Sequence, residues 1–406
     1  MNILMVSSTF PYPPSRSGTE VRTFNLLKYL HRRHSITLVT QRSSAVSDED
    51  IEAMRQWVDD LVIFPLRDET SSKGGVLSLP GKGLRFLESL WKATPPNVLY
   101  RYSPEMQAWI DTHVRAGKFQ AMTCEHSANA IYARLDFRQY LRTVVNVHSA
   151  VYGGKVKYLQ AGASDHSWRD RIYLSTLYRY EKRYCQDIER IVVTTPNDRQ
   201  QLLELNLSAT IEIIPNGVDL ELFPYRSADP GGQQLIFVGA MDLDHNVDAA
   251  MFFATKVFPG LKECYPEATF SIVGSRPIAK IQALAEIPGI VVTGRVPSVV
   301  DYLYDSAVCV VPLRTGFGIK NKTLEAMAAG VPVVGSDRGL EGLAVDGADG
   351  PLRALRANQP QEYVEAIGRL FADAELRSQL SQRGRELVET TYTWEKAGQA
   401  YEAALS

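Results

Sequence analysis

Short apolar runs alternating with longer amphipathic stretches, in two successive halves, constrain the fold of this chain more than any other feature. In the first half the runs predict strands at Ile3–Ser7, Ile36–Thr40, Leu61–Pro65, Ala121–Cys124, Thr143–Val147, Ile191–Thr195 and Ile211–Ile214. In the second they predict strands at Leu235–Val238, Phe270–Val273, Val291–Thr293, Val308–Val311 and Val331–Val334. Near-continuous apolar strands separated by amphipathic helices are the pattern of parallel sheets covered on both faces. Gly239, Gly274, Gly294, Pro312 and Gly335 follow the second set and mark strand C-termini, where open α/β sheets bind their ligands. A turn-rich junction, Pro215-Asn216-Gly217-Val218-Asp219, separates the halves. The expected architecture is therefore α/β: two Rossmann-like doubly wound domains, residues 1–216 and 217–390, facing a cleft. A last helix within 391–406 carries Trp394, Ala397, Tyr401 and Leu405 on one face.

The chain has 406 residues, a length for about two or three domains. It is 45% hydrophobic and 22% charged, as soluble globular proteins are, and its net charge of −2 calls for no nucleic-acid partner. Cys124, Cys185, Cys264 and Cys309 are far apart, so no metal-spaced pair exists, and Cys124 and Cys309 read as reduced core residues. The sequence has no His/Cys cluster, so neither a metal nor another cofactor is expected. The N-terminus reads as a buried first strand and not as a signal peptide. No apolar run approaches the roughly 20 residues that span a bilayer. The expectation is a cytoplasmic protein.

One segment carries chemistry. Arg314 to Pro332, RTGFGIKNKTLEAMAAGVP, reads as a basic loop and a short helix between two strands. Gly316 and Gly318 allow backbone angles closed to other residues. Arg314, Lys320 and Lys322 place positive charge beside the helix start, Asn321 is a good N-cap, and the N–H groups behind it form an anion site. Glu325 lies about one turn in, where a carboxylate can take two hydrogen bonds from a vicinal diol. A diphosphate-holding loop beside a ribose-holding carboxylate is the pattern of a nucleotide-sugar site.

This segment resembles the donor signature of retaining glycosyltransferases of the GT-B fold, family 4. It is most similar to a bacterial branch of exopolysaccharide-type sugar transferases, whose G-x-[KR]-x-K-x-L-E-A-M-A is matched from Gly318 to Ala328. The resemblance implies a donor-binding set of Gly18, Gly239, His245, Asn246, Arg314, Gly316, Gly318, Lys320, Asn321, Lys322, Thr323, Leu324 and Glu325. It implies catalytic roles for His148, Glu325 and Lys320, and an acceptor side holding Arg22, Glu125 and His126. Gly18, in Ser17-Gly18-Thr19-Glu20, opens a helix and is similar to the glycine loop that faces the donor. His148, in Val144–Ala150 (VVNVHSA), and His126, in Cys124-Glu125-His126-Ser127, each follow a strand end. The first suits a sugar hydroxyl. Asn246 is expected to cap a helix beginning at Val247.

The sequence also departs from the family pattern. The Arg and Lys that many members place after the first strand of the donor domain are missing; the loop reads Gly239-Ala240-Met241-Asp242 as in the branch, with His245 where its Pro usually sits. Of the usual two Glu residues separated by seven others, only Glu325 is present, and Thr315 stands at the place of the first. Lys320 and Lys322 are candidates to supply the lost charge, since a charged hydrogen bond contributes about 1.5–3 kcal/mol.

The resemblance implies transfer of a sugar from a nucleotide-diphosphate sugar to a hydroxyl of a glycan or lipid-linked acceptor, with retention, in exopolysaccharide or other cell-surface glycan assembly. Two other readings stay open: a GT-B nucleotide-sugar 2-epimerase, and a non-catalytic nucleotide-sugar-binding scaffold. Gly81–Lys92 and Trp168–Tyr184 mix aromatic, aliphatic and basic residues at helical spacing, which suits either a solvated basic edge or peripheral contact with an anionic membrane.

Overall fold

The computed structural model describes residues 1–14, 18–66, 88–160, 167–206, 209–316, 318–347 and 350–406. Ser17, most of Gly81–Lys92 and the side chains that open the Trp168–Tyr184 stretch lie outside the described residues.

The apolar runs form two all-parallel sheets. The first has seven strands in the order β3-β2-β1-β4-β5-β6-β7: β1 (Asn2–Ser7), β2 (Ser35–Arg42), β3 (Asp60–Pro65), β4 (Ala121–Glu125), β5 (Arg142–Asn146), β6 (Arg190–Val193) and β7 (Thr210–Ile213). The second has six in the order β10-β9-β8-β11-β12-β13: β8 (Gln234–Val238), β9 (Thr269–Val273), β10 (Ile290–Gly294), β11 (Val308–Val311), β12 (Val333–Gly335) and β13 (Leu355–Arg356). The order reverses once in each sheet, between β1 and β4 and between β8 and β11. In register, Ile3 pairs with Ala121 and Leu235 with Val308. Such switch points leave a crevice at the strand C-termini. Ile3 to Val6 and Val308 to Val311 are all buried, as helix-covered sheets require.

Most expected strands match within one or two residues. β12 begins two residues later than expected because the Val331 N–H is taken by Ala326 and Pro332 has no N–H to give. β13, two residues long, carries no periodicity and was not foreseen.

Contacts divide the chain into one unit of Met1–Pro215 with Ala397–Ser406 and another of Asn216–Lys396. Helix Trp394–Leu405 therefore ends within the first unit. There Gly398 packs so close to Tyr29 that an added Cβ would lie 2.1 Å from its ring, and Glu402 pairs with His34 at 2.7 Å. Thr391 closes the preceding helix, Ala374–Thr391, and the last helix starts at Trp394, within the expected 391–406.

Candidate active site

In the second unit the cations and carboxylates meet at the switch point. β8 ends at Val238, and Gly239 turns the chain across the sheet top. Helix Asn321–Ala328 rises from the loop after β11. Lys322 Nζ comes back over the Phe237 ring, 4.3 Å from its centroid, and donates to Asn246 Oδ1 at 2.6 Å. The Asn246 amide in turn donates to the Ala240 carbonyl at 2.9 Å. At Gly239 an added Cβ would lie 2.7 Å from Asn246 Nδ2 and 2.8 Å from Lys322 Nζ, so any side chain there would displace one or both groups. The backbone thus comes within reach of an ammonium at the place where a doubly wound sheet binds phosphate.

Burial sets the protonation of this group. It pulls the Lys322 ammonium down to about 7, with Cys309 and Glu325 resisting, and pushes the Glu325 carboxyl up to about 7, with Lys322 resisting. It also takes His245 down to about 4, helped by Lys322 and Lys320. Among the described residues no side chain donates a hydrogen bond to the half-buried Glu325 carboxylate, which leaves both oxygens for a diol. Gly316 and Gly318 have φ of 106° and 72°, the left-handed region that the loop reading anticipated.

Several expected roles change. Asn321 is not the N-cap: Lys320 holds that place, and Asn321 Oδ1 accepts from Asn216 at 2.9 Å. Asn246 does not cap a helix either, because the helix runs from Asp244 to Phe252 and Asn246 sits in its first turn, bonded to Lys322. Thr323 and Leu324 are fully buried, and both of their N–H groups go to the Lys320 carbonyl. Thr323 Oγ1 donates to Gly339. Neither side chain is open to a donor. Lys320 Nζ donates to the Gly318 carbonyl at 2.6 Å and lies 3.6 Å from Glu341, which Arg338 also pairs at 3.0 Å. Arg314 forks onto Asp248 and stacks over Phe252 at 5.1 Å. Both cations are thus matched by carboxylates, Glu341 and Asp248, that no motif had marked.

The switch point of the first unit is built differently. Arg22 is 1% exposed, and its Nε donates to Asn146 Oδ1 and its Nη2 to the Ile214 carbonyl, both at 2.9 Å. Asn146 donates to Glu125 Oε2 at 2.7 Å, and Glu125 Oε1 takes Tyr401 at 2.6 Å and Thr123 at 2.9 Å. Desolvation raises the Glu125 carboxyl against these bonds and lowers Arg22 to about 10. Arg22 and Glu125, expected on the acceptor side, are thus buried and bonded within this network. Gly18 opens helix Gly18–Leu30, and among the described residues nothing lies within 4 Å of an added Cβ.

His126 and His148 stand above that network. His126 has a φ of 75°, and its ring lies 5.3 Å from that of His148, nearly edge-on. Burial takes His126 to about 4 and His148 well below the usual range, the neighbouring ring and Arg22 adding to the second. His148 Nε2 is buried and has no hydrogen-bond partner among the described residues.

The two units fall under two family models. "Glycosyltransferase Family 4" matches residues 16–222 and "Glycosyl transferases group 1" matches residues 232–373. The chain belongs to glycosyltransferase family 4. A D-inositol 3-phosphate glycosyltransferase of Corynebacterium jeikeium is 23% identical over 254 residues, 54% of this chain and 58% of that protein. YtcC of Bacillus subtilis is 36% identical over 73 residues, 18% of each. The chain thus spans little more than half the length of the first relative and less than a fifth of the second. Solved structures share the fold over its whole length. HepE of Anabaena, solved with UDP and glucose, has a TM-score of 0.65 at 13% identity, covering 100% of this chain and 99% of that one. S. aureus TarM has 0.68 at 13%, with the same coverage, and the pneumococcal O-GlcNAc transferase GtfA has 0.64 at 12%, covering 100% and 98%. These are two-domain GT-B proteins, and the two Rossmann-like sheets of this family 4 chain follow the same plan. Among its described residues no helix is long and apolar enough to cross a membrane.

Proposed function

We propose that this family 4 chain transfers a sugar from a nucleotide-diphosphate sugar to an acceptor hydroxyl with retained configuration, in exopolysaccharide or other cell-surface glycan assembly. The observation that carries the reading is the Gly239–Asn246–Lys322 cradle beside an unpaired Glu325 at the β8/β11 switch point. In this reading the cradle takes the diphosphate and Glu325 accepts both ribose hydroxyls. Lys320 adds charge at the leaving group, and His148 meets a hydroxyl of the transferred sugar. The bond from the anomeric carbon to the diphosphate oxygen breaks, and the bond to the acceptor oxygen forms on the same face. The acceptor proton passes to the departing phosphate, so no protein nucleophile, metal or other cofactor takes part. UDP in the HepE structure supports testing uridine donors first.

The test is a thermal-shift screen of nucleoside diphosphates and their sugars, followed by transfer assays on wild type and Glu325→Ala. A ligand at 100 times its Kd adds about 2.7 kcal/mol of stability. A shift with one nucleotide, lost in the variant together with turnover, is the expected outcome. Near-normal turnover in Glu325→Ala would sink the assignment. One observation favours the scaffold alternative: Lys320, which with Lys322 was to replace the missing Arg and Lys, already faces Glu341, and Arg314 faces Asp248. Binding without turnover across a panel of acceptors would establish it.

The lipid-linked acceptor and peripheral membrane contact belong to the same proposal. Trp91, 85% exposed beside Lys92, is the residue through which such contact is expected. Co-sedimentation with anionic vesicles that Trp91→Ala leaves unchanged would remove it.

A further inference from the structure

The loop that presents His148 is held by two buried acids that belong to none of the motifs above. β5 ends at Asn146, and residues 147–150 lead into helix Val151–Gln160. The Ala150 N–H donates to Asp198 Oδ1 at 2.9 Å, and the Val151 and Tyr152 N–H groups donate to Glu181 Oε1 at 3.0 and 3.2 Å. Thr194 Oγ1 donates to the His148 carbonyl at 3.1 Å and lies 3.4 Å from Asp198 Oδ2, which also takes Thr195 Oγ1 at 2.5 Å. Glu181 comes from helix Ser167–Asp187 and Asp198 from helix Pro196–Leu203. Two other helices therefore reach across to bind three consecutive amides of this one.

A helix start needs acceptors for its first N–H groups, and a local serine or aspartate normally supplies them. Here the acceptors are remote carboxyls, 1% and 3% exposed, which are costly to bury and give rigidity that a local cap does not. What they fix is the turn that carries His148, two residues before the first of these amides. The imidazole of His148 sits against that of His126, with Nε2 buried and unpartnered among the described residues. A buried polar atom left without a partner is unusual and calls for a ligand or a mechanism.

We propose that Glu181 and Asp198 are positioning residues for His148, clamping the first turn of helix Val151–Gln160 so that Nε2 is held out for a hydroxyl of the transferred sugar. This rests on the transferase reading above. Burial pushes the Glu181 carboxyl up to about 8 against its two backbone bonds, so it is protonated at neutral pH and still accepts through its carbonyl oxygen. Glutamine has the same shape and acceptor, which makes Glu181→Gln the conservative variant.

The experiment uses the full chain labelled with ¹⁵N-histidine, with imidazole spectra recorded across pH and steady-state transfer kinetics on the same samples. In Glu181→Ala and Asp198→Ala the His148 midpoint is expected to rise toward the ordinary histidine value. The same variants should lose kcat by roughly tenfold or more with donor KM within about twofold, as for a group displaced by a fraction of an ångström. Glu181→Gln should restore both. Unchanged titration and kcat in folded alanine variants would overturn the proposal, and so would a glutamine variant that behaves like alanine. If the alanine variants do not fold, Thr194→Val decides the matter: a raised His148 midpoint supports the clamp and an unchanged one overturns it. Failure of wild type to transfer any sugar would defeat the transferase reading, while the titrations would still decide whether the clamp exists.

Discussion

The two sheets reverse order at equivalent places and fill the resulting crevices in opposite ways. At the β1/β4 switch point Arg22, Asn146, Glu125, Thr123 and Tyr401 are joined in one chain of hydrogen bonds within the unit. At the β8/β11 switch point Lys322 has one side-chain acceptor, Asn246, and Glu325 has no hydrogen-bond donor among the described residues. A closed polar network specifies structure; an open one is a site for something else to complete. The same topology thus yields a keystone in one unit and a candidate donor pocket in the other. The difference lies in whether the polar groups were given partners.

The largest effect that would test this contrast is on stability in the first unit. Glu125→Ala leaves Asn146, Tyr401 and Thr123 enclosed without their acceptor and Arg22 without its neighbouring carboxyl, and removing one member of a buried charged group costs about 3–5 kcal/mol. Chemical denaturation should show that loss. Nucleotide affinity of the folded fraction should stay the same. A cost below about 1 kcal/mol would mean that the network is not a keystone.

In the second unit the corresponding change acts on function. Glu325→Ala removes two charge-assisted bonds to a ribose, each worth about 1.5–3 kcal/mol, so kcat/KM should fall by roughly 100-fold or more. Stability should respond in the other direction. Burial raises this carboxyl from 4.5 to about 7. The folded state therefore holds the proton more tightly, and the stability present below pH 4.5 is lost as pH rises through 7. Glu325→Gln should abolish a decline of about 3 kcal/mol over that window, measured as denaturation midpoints against pH. An unchanged slope would place the carboxyl in water.

The fold was legible because β strands buried on both faces cannot avoid apolar runs, and Gly or Pro must follow where the chain turns over the sheet. Leu355–Arg356 escaped because two residues have no period. The site was legible where local chemistry decides, as at Gly316 and Gly318, whose backbone angles only glycine adopts freely. It was not legible where residues distant in sequence decide. Asn321 is a good cap in isolation, yet Asn216 takes its side chain, and Lys320 and Arg314 read as free cations until Glu341 and Asp248 appear beside them. Glu125 and Arg22 likewise looked available, since nothing local shows that Tyr401, 276 residues on, encloses the same carboxylate.

A smaller effect is expected at Lys322. Loss of one charged contact in Lys322→Met should weaken nucleoside diphosphate binding about tenfold by calorimetry. The pH profile carries the sharper information. The free enzyme has Lys322 at about 7, and a bound diphosphate favours its charged form, so wild-type affinity should fall as pH rises above 7. Glu325 must be ionised to hold a diol, so affinity should also fall below 7. Lys322→Met should remove only the alkaline limb and Glu325→Gln only the acid limb. A profile that stays bell-shaped in both variants would show that other groups complete the pocket.

The smallest effect belongs to Arg314, and it bears on where the open region ends. Its guanidinium is about half exposed and already forked onto Asp248, so both the pair and its loss are screened by water. Exposed pairs contribute about 0–1 kcal/mol. Asp248→Asn and Arg314→Ala should each move stability by less than that, and nucleotide affinity by less than about threefold. If Arg314→Ala instead weakened binding tenfold, the guanidinium would have to leave Asp248 for the diphosphate. Asp248→Asn, which frees it beforehand, should then bind more tightly than wild type. Opposite signs in the two variants would extend the open pocket to Arg314, whereas small effects of either sign in both would confine it to Gly239, Asn246, Lys322 and Glu325.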